Sequence, residues 1–161
     1  MSIIFPTYSE KKSLSKSKQK KFCIWQIVTK CERKRMRKLA LSDEILLSVD
    51  KAARYIGGEV NSVMKDLKEV TTRVAFCFPD VYEIGMSNLG MMLLYNMFNK
   101  RPDVWCERVY SPWLDLDKLM REQNIPLFAL ESQDPVRDFD FLCITLGYEM
   151  CYTNVLQTLD R

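Results

Sequence analysis

RVAFCFPDVYEIGMSNLGMMLLYNMFNK, residues 73–100, is the stretch on which the fold turns. It begins with "RVAFCFP" (73–79), an apolar run that stops at a proline, as a buried strand does. A polar turn follows, holding Asp80, Tyr82, Glu83 and Gly85. Ser87 and Asn88 are residue types that cap a helix start. From there "SNLGMMLLYNMFNK" (87–100) reads as a helix, with Leu89, Leu93 and Met97 at i, i+4 and i+8. Pro102 closes it. Strand, polar turn and helix make the first half of a crossover between parallel strands.

The same pattern repeats downstream. "VWCERVY" (104–110) is a second strand and "LDLDKLMREQN" (114–124) an amphipathic helix, with Asp115 and Asp117 early and Arg121 late. "LFALES" (127–132) reads as a short strand and "DPVRDFD" as a polar loop. "FLCITL" (141–146) is apolar on both faces, as central parallel strands are, and "YEMCYTNVLQTLD" (148–160) is a last helix. The expected class is therefore α/β: a doubly wound, mostly parallel, Rossmann-like sheet. A flavodoxin-like order runs 127–132, 104–110, 73–79, 141–146, with further strands expected beyond the last, so the sheet is expected to be incomplete on its C-terminal side. Ligands of such sheets bind outside the carboxyl ends of the strands. The polar pieces "PDVYEIG", "SPW", "LESQD" and "GYE" all fall there.

Upstream, residues 39–70 form a helical lead-in. Ser42 is its N-cap, Asp43 and Glu44 suit a first turn, and Leu41, Ile45 and Val49 share a face. Gly57-Gly58 ends that segment, and "VNSVMKDLKEV" connects onward as a short helix or loop. "RYIGGE" (54–59) reads equally as a helix-ending turn or as a place where Arg54 and Glu59 meet a partner domain. Residues 71–161 are the α/β domain proper. Residues 1–38 differ in kind: they hold 12 of the 24 Lys+Arg but only Glu10 and Glu32 as acids. Residues 39–161 hold 12 basic against 19 acidic residues, a balance of −7. The net +3 thus belongs to a basic extension, read as a disordered tail, a translated stretch upstream of a start at Met36, or an arm for nucleic acid or anionic lipid. The acidic body itself gives no footprint for nucleic acid.

The cysteines Cys23, Cys31, Cys77, Cys106, Cys143 and Cys151 form no CxxC pair. Cys77, Cys106 and Cys143 lie in strand-like runs, where cysteine acts as a small hydrophobe, and this suits a reducing cytoplasm. No run approaches the ~20 apolar residues of a membrane span. "FCIWQIV" (22–28) lacks the small-residue cleavage site of a signal peptide. Asp80 and Glu83 are a carboxylate pair of the kind acid–base chemistry uses, but the chain has no histidine and no nucleophile beside a visible base. No catalytic or metal-ligating residue is therefore assigned. Neither GxGxxG nor the GK[ST] phosphate loop is present.

"ARYIGGEVNSVMKD", "FPDVYEIGMSNLGMMLLYNMFN" with "ERVYSPW", and "PLFALES" with "DFDFLCITLGYEMCYTNVLQTLD" together resemble the N-terminal part of a bacterial radical S-adenosylmethionine (radical SAM) protein with a cobalamin-binding-type leading domain. The resemblance spans about residues 39–161. It implies a larger parent, in which a partial β/α barrel with CxxxCxxC holds a four-iron four-sulfur cluster and uses S-adenosylmethionine. No CxxxCxxC occurs here, so the chain is expected to be a fragment ending before that barrel. Cobalamin domains that ligate the metal carry D-x-H-x-x-G; the same frame here is Asp80-Val81-Tyr82-Glu83-Ile84-Gly85. Tyr82 stands at the histidine position, and a neutral phenol is a poor ligand. Cys143 and Gly147 also depart from the pattern, which has a glycine and a larger polar residue there.

What the resemblance implies is an accessory domain covering the barrel's active site, with room for cobalamin held without a histidine. Asp80, Tyr82, Glu83, Gly85, Ser87 and Asn88 would form its main loop. Glu131, Ser132, Tyr148 and Glu149 would line the neighbouring strand ends. Two other readings stand beside it: a stand-alone flavodoxin-like module for a flavin or nucleotide, and a protein-interaction domain without a small ligand.

Overall fold

A computed structural model describes residues 41–161. The expectations for the basic extension fall on residues outside that range. The described chain is an open, three-stranded parallel sheet flanked on both faces by helices, in strand order β2-β1-β3. The strands are β1 (Thr72–Phe78), β2 (Val104–Tyr110) and β3 (Phe141–Ile144). The order expected for these three holds. Register runs from Thr72↔Val104 to Phe78↔Tyr110 on one side and from Val74↔Phe141 to Cys77↔Ile144 on the other.

Successive residues of β1 point to opposite faces, so its continuous apolar run supplies two cores. Val74 and Phe76 pack with Met91 and Tyr95 of α4 (Leu89–Asn99). Ala75 and Cys77 pack with Leu116 and Met120 of α5 (Leu114–Gln123), and Val155 of α6 (Tyr152–Asp160) joins that core. Full burial pushes the Cys77 thiol up to about 12, as befits a packing residue. The lead-in adds two short helices, α1 (Asp43–Ser48) and α2 (Ala53–Ile56). Leu41, Ile45 and Val49 are buried together against the α5 core. Ser42 caps α1, its side chain accepting from the Ile45 N–H.

Three sequence expectations give way, while one open alternative is decided. Residues 60–70, which read as a short helix or a loop, form turns without a helix. They are tied down by side chains instead: Lys65 Nζ donates to the carbonyls of Asn99, Arg101 and Val104 at 2.5–2.9 Å, and Tyr95 Oη accepts from Val63 N at 2.7 Å. A short helix, α3 (Tyr82–Gly85), occupies the turn after β1, so α4 starts at Leu89 with Asn88 as its cap. Leu89, Leu93 and Met97 do not face the core. They are exposed, while Met91 and Tyr95 are buried. Helix α4 is apolar nearly all round, so its period alone does not choose the buried side.

Finally, 127–132 is not a strand. It makes one isolated bridge, Phe128↔Pro135, and one backbone bond to the sheet, from Leu130 N to Arg108 O at 2.8 Å. The "DPVRDFD" loop holds a 3-10 turn, Val136–Asp138, and the last helix is preceded by another, Glu149–Cys151. No described helix is long and apolar enough to cross a membrane.

Candidate functional site

The strand order fixes where the carboxyl ends diverge. The β1-to-β2 connection passes through α4 on one face, and the β2-to-β3 connection carries α5 on the other. The loops after β1 and β3 therefore part at the topological switch point, where open α/β sheets leave a crevice. Two polar groupings sit along this edge.

The first lies at the end of β2. Arg108 is 2% exposed. Its Nε donates to Glu131 Oε1 at 2.6 Å, and its Nη1 donates to Glu59 Oε2 at 2.7 Å. Glu131 Oε2 also accepts from the Arg108 backbone N–H at 2.7 Å. Glu59 in turn accepts from the Tyr82 hydroxyl. Glu59 is delivered by the Gly57-Gly58 turn, both of whose glycines have positive φ, 68° and 75°. A Cβ on Gly57 would meet Leu130 O at 2.4 Å, so only glycine lets this turn lie against the 127–132 segment. Burial alone would raise the Glu59 carboxyl; the hydrogen bonds from Tyr82 and Arg108 win and hold it below its ordinary range. Burial, then the hydrogen bond to Glu59, push Tyr82 up to about 12. Tyr82 is thus a neutral donor. Gly85 is needed beneath it: a Cβ there would meet the Tyr110 ring at 2.4 Å. The Tyr82 and Tyr110 rings pack edge to face at 5.4 Å between centroids.

The second grouping closes the switch point. Tyr148 donates to Asp80 Oδ2 at 2.9 Å, joining the loops after β1 and β3. Asn154 of α6 adds a bond to Pro79 O at 2.9 Å. Open ground surrounds Gly147, with nothing within 4 Å of where a Cβ would stand. Leu146, Tyr148 and Met150 are exposed beside it.

The residues singled out in the sequence thus separate into several places. Tyr82 and Glu131 share one network, joined through Glu59 and Arg108. Asp80 and Tyr148 form the latch at the switch point. Glu83 is not paired with Asp80; it binds Arg54 at 2.9 Å and Lys51 at 3.3 Å. Gly85 provides clearance for Tyr110. Ser87 donates locally to Ile84 O, and Asn88 caps α4. Ser132 belongs to a further cluster: its hydroxyl accepts from Arg73 Nη2 at 3.0 Å and its N–H donates to Glu107 Oε2 at 2.9 Å. Arg73 also pairs with Glu107 and with Asp134. Glu149 is exposed at the start of its 3-10 turn. The sequence reading missed Arg108 and Tyr110. Both fall in the carboxyl half of a largely apolar strand, and the adjacent charges of Glu107 and Arg108 in "VWCERVY" are the signal that buried partners must answer them.

Residues 90–161 match the family model described as radical SAM proteins, N-terminal. The match runs from α4 through β2, α5 and β3 to α6, and it supports an N-terminal region of a radical SAM protein. The Asp80–Gly85 frame lies outside it. Neither a curated protein nor a solved structure matches the chain.

Proposed function

We propose that this chain is the accessory N-terminal domain of a radical SAM protein and covers the active site of an iron–sulfur barrel. The match over residues 90–161 carries this reading. On it, the barrel is the chain's partner and holds the four-iron four-sulfur cluster and S-adenosylmethionine. The strand-end rim faces the barrel. Exposed Ile84, Met86, Leu146 and Met150 give that rim the apolar character of a covered surface. The acidic body argues against nucleic acid as a partner, and cysteines that form no disulfide among the described residues suit the cytoplasm.

Cobalamin is the cofactor we propose for the rim, held without a protein ligand to cobalt. A histidine-ligated form does not fit, because the chain has no histidine and the Tyr82 hydroxyl is engaged by Glu59. A ligand-free form fits the open ground at Gly147, with Tyr148 and Asp80 as its polar contacts. Bound there, cobalamin supplies a cobalt centre able to carry a carbon group.

The test is an absorbance spectrum after incubation with hydroxocobalamin or with flavin, followed by gel filtration. The corrin spectrum is expected to travel with the protein, and the reduced cobalt form to show no nitrogen splitting in paramagnetic resonance. Retention of flavin alone would favour the flavodoxin-like module. Retention of neither would leave an interaction domain.

A further inference from the structure

Arg108 and Tyr110 both face the end of β2 with capacity left over. Arg108 Nη2 is buried and has no hydrogen-bond partner, and neither has the buried Tyr110 hydroxyl. Buried donors without acceptors are uncommon, because each loses its water without replacement. The Tyr110 hydroxyl lies close enough to Arg108, Glu131, Glu59 and Tyr82 for each of them to influence its titration. Tyr110 also lines a small surface recess together with Arg54.

Beside these donors, on Arg108 Nη1, sits a carboxylate that comes from the lead-in. Glu59 hangs from the lead-in on Gly58, whose position has nothing within 4 Å and so leaves the arm room to move. Its side chain is 29% exposed, against 2% for the Arg108 it binds. Glu131 already answers the charge of Arg108 from the buried side. A second carboxylate is therefore surplus to the charge balance of Arg108, and it is the more exposed of the two that bind it.

We propose that Glu59 is an internal stand-in for an anionic ligand, and that the place its carboxylate fills is a binding site for a phosphate monoester. Arg108 Nη1 and the Tyr82 hydroxyl, which now hold Glu59, would hold two phosphate oxygens. Arg108 Nη2 and the Tyr110 hydroxyl, unsatisfied by a two-oxygen carboxylate, would take the others. A tetrahedral oxyanion has the oxygens that Glu59 lacks, and charge-assisted bonds to a guanidinium are the strong ones. Ligand binding then means swinging Glu59 out about Gly57-Gly58, so the intrinsic affinity is masked by an internal competitor. The site is independent of cobalamin, which is placed at the other side of the sheet's edge.

The experiment uses the full chain and inorganic phosphate, with sodium chloride at matched ionic strength and sodium acetate as controls. Glu59→Ala is expected to bind phosphate at least tenfold more tightly than the natural chain, by calorimetry, with acetate weaker than phosphate. Glu59→Gln keeps the shape of the side chain and one oxygen to accept from Arg108, but loses the charge and the second acceptor, and is expected to gain in the same direction, which covers a failure of the alanine variant to fold. In the natural protein, saturating phosphate is expected to move the Glu59 carboxyl carbon resonance toward that of a free glutamate. An unmoved Glu59 resonance, equal affinity in variant and natural chain, or an equal response to chloride each overturns the site. Acetate binding as tightly as phosphate overturns the ligand class.

Discussion

The two flanks of the sheet are built by opposite chemistry. Beside β2, the 127–132 segment buries Leu127, Phe128 and Ala129 in the core but makes a single backbone bond to the strand, and charged side chains supply the other polar ties. Glu131 reaches back to the Arg108 N–H, while Glu107 reaches out to the Ser132 N–H, so carboxylates stand in for a missing ladder. Beside β3 there is no such device among the described residues. The strand pairs with β1 alone, and Leu146, Met150, Tyr152 and Leu156 lie exposed around it. One edge is closed by specific polar pairs that tolerate little change. The other is apolar and bare, the condition in which strand edges recruit partners.

The largest effect should come from breaking the first flank. Arg108→Met removes the cation between Glu59 and Glu131 and leaves Glu131, whose side chain is fully buried, without compensation. A loss of about 3–5 kcal/mol is expected in urea denaturation at pH 7. Adding Glu131→Leu should recover most of it, because the double variant buries no lone charge. A loss below about 1 kcal/mol in the single variant would mean that apolar packing holds this flank, and the contrast between the flanks would fall.

How these flanks relate to the sequence is uneven. The three strands and their order were legible because continuous apolar runs separated by amphipathic helices admit few topologies. The Leu41, Ile45 and Val49 face was legible for the same reason, being the apolar side of an otherwise polar stretch. Residues 127–132 misled because an apolar run looks alike whether it pairs by backbone or is pinned by side chains. Helix α4 misled because Leu89, Leu93 and Met97 keep helical spacing just as well as Met91 and Tyr95 do. At the site, Asp80, Tyr82 and Tyr148 were visible as polar residues at strand ends. The network that Tyr82 joins was not, since the Glu59–Arg108 pairing links positions 49 residues apart and nothing local announces it.

The second flank is expected to respond to charge, not to truncation. The natural chain should self-associate through the β3 edge as concentration rises, seen in sizing chromatography. Leu146→Lys places a cation beside that edge at a position 46% exposed, and should weaken association by at least about tenfold, a difference of about 1.4 kcal/mol. The neighbouring Thr145 is buried and bonded to Cys77 O, so a lysine there would test folding instead. A natural chain that stays monomeric at high concentration would show that the apolar β3 flank is covered after all.

The smallest effect separates the two tyrosines, one on each side of the strand-end rim. Tyr82 donates to a half-buried carboxylate, and Tyr148 donates to Asp80 in the open. The Glu59 carboxyl is held below its ordinary value in the folded chain, so the stability it brings is fully present above the ordinary carboxylate range. That stability is lost as pH falls through the depressed folded value. Tyr82→Phe removes one of the two bonds that depress it. The expected cost is about 1 kcal/mol at pH 7, reduced from the full strength of a charge-assisted bond because solvent reaches Glu59. The cost should shrink toward zero as acid protonates Glu59, and the acid limb of the variant's stability curve should lie at higher pH than that of the natural chain. Tyr148→Phe should leave urea midpoints unresolved from the natural chain at both pH values. If Tyr82→Phe instead costs the same at pH 7 and in acid, its hydroxyl acts through packing against Tyr110 and not through Glu59, and the polar account of the β2 flank would have to end at Arg108.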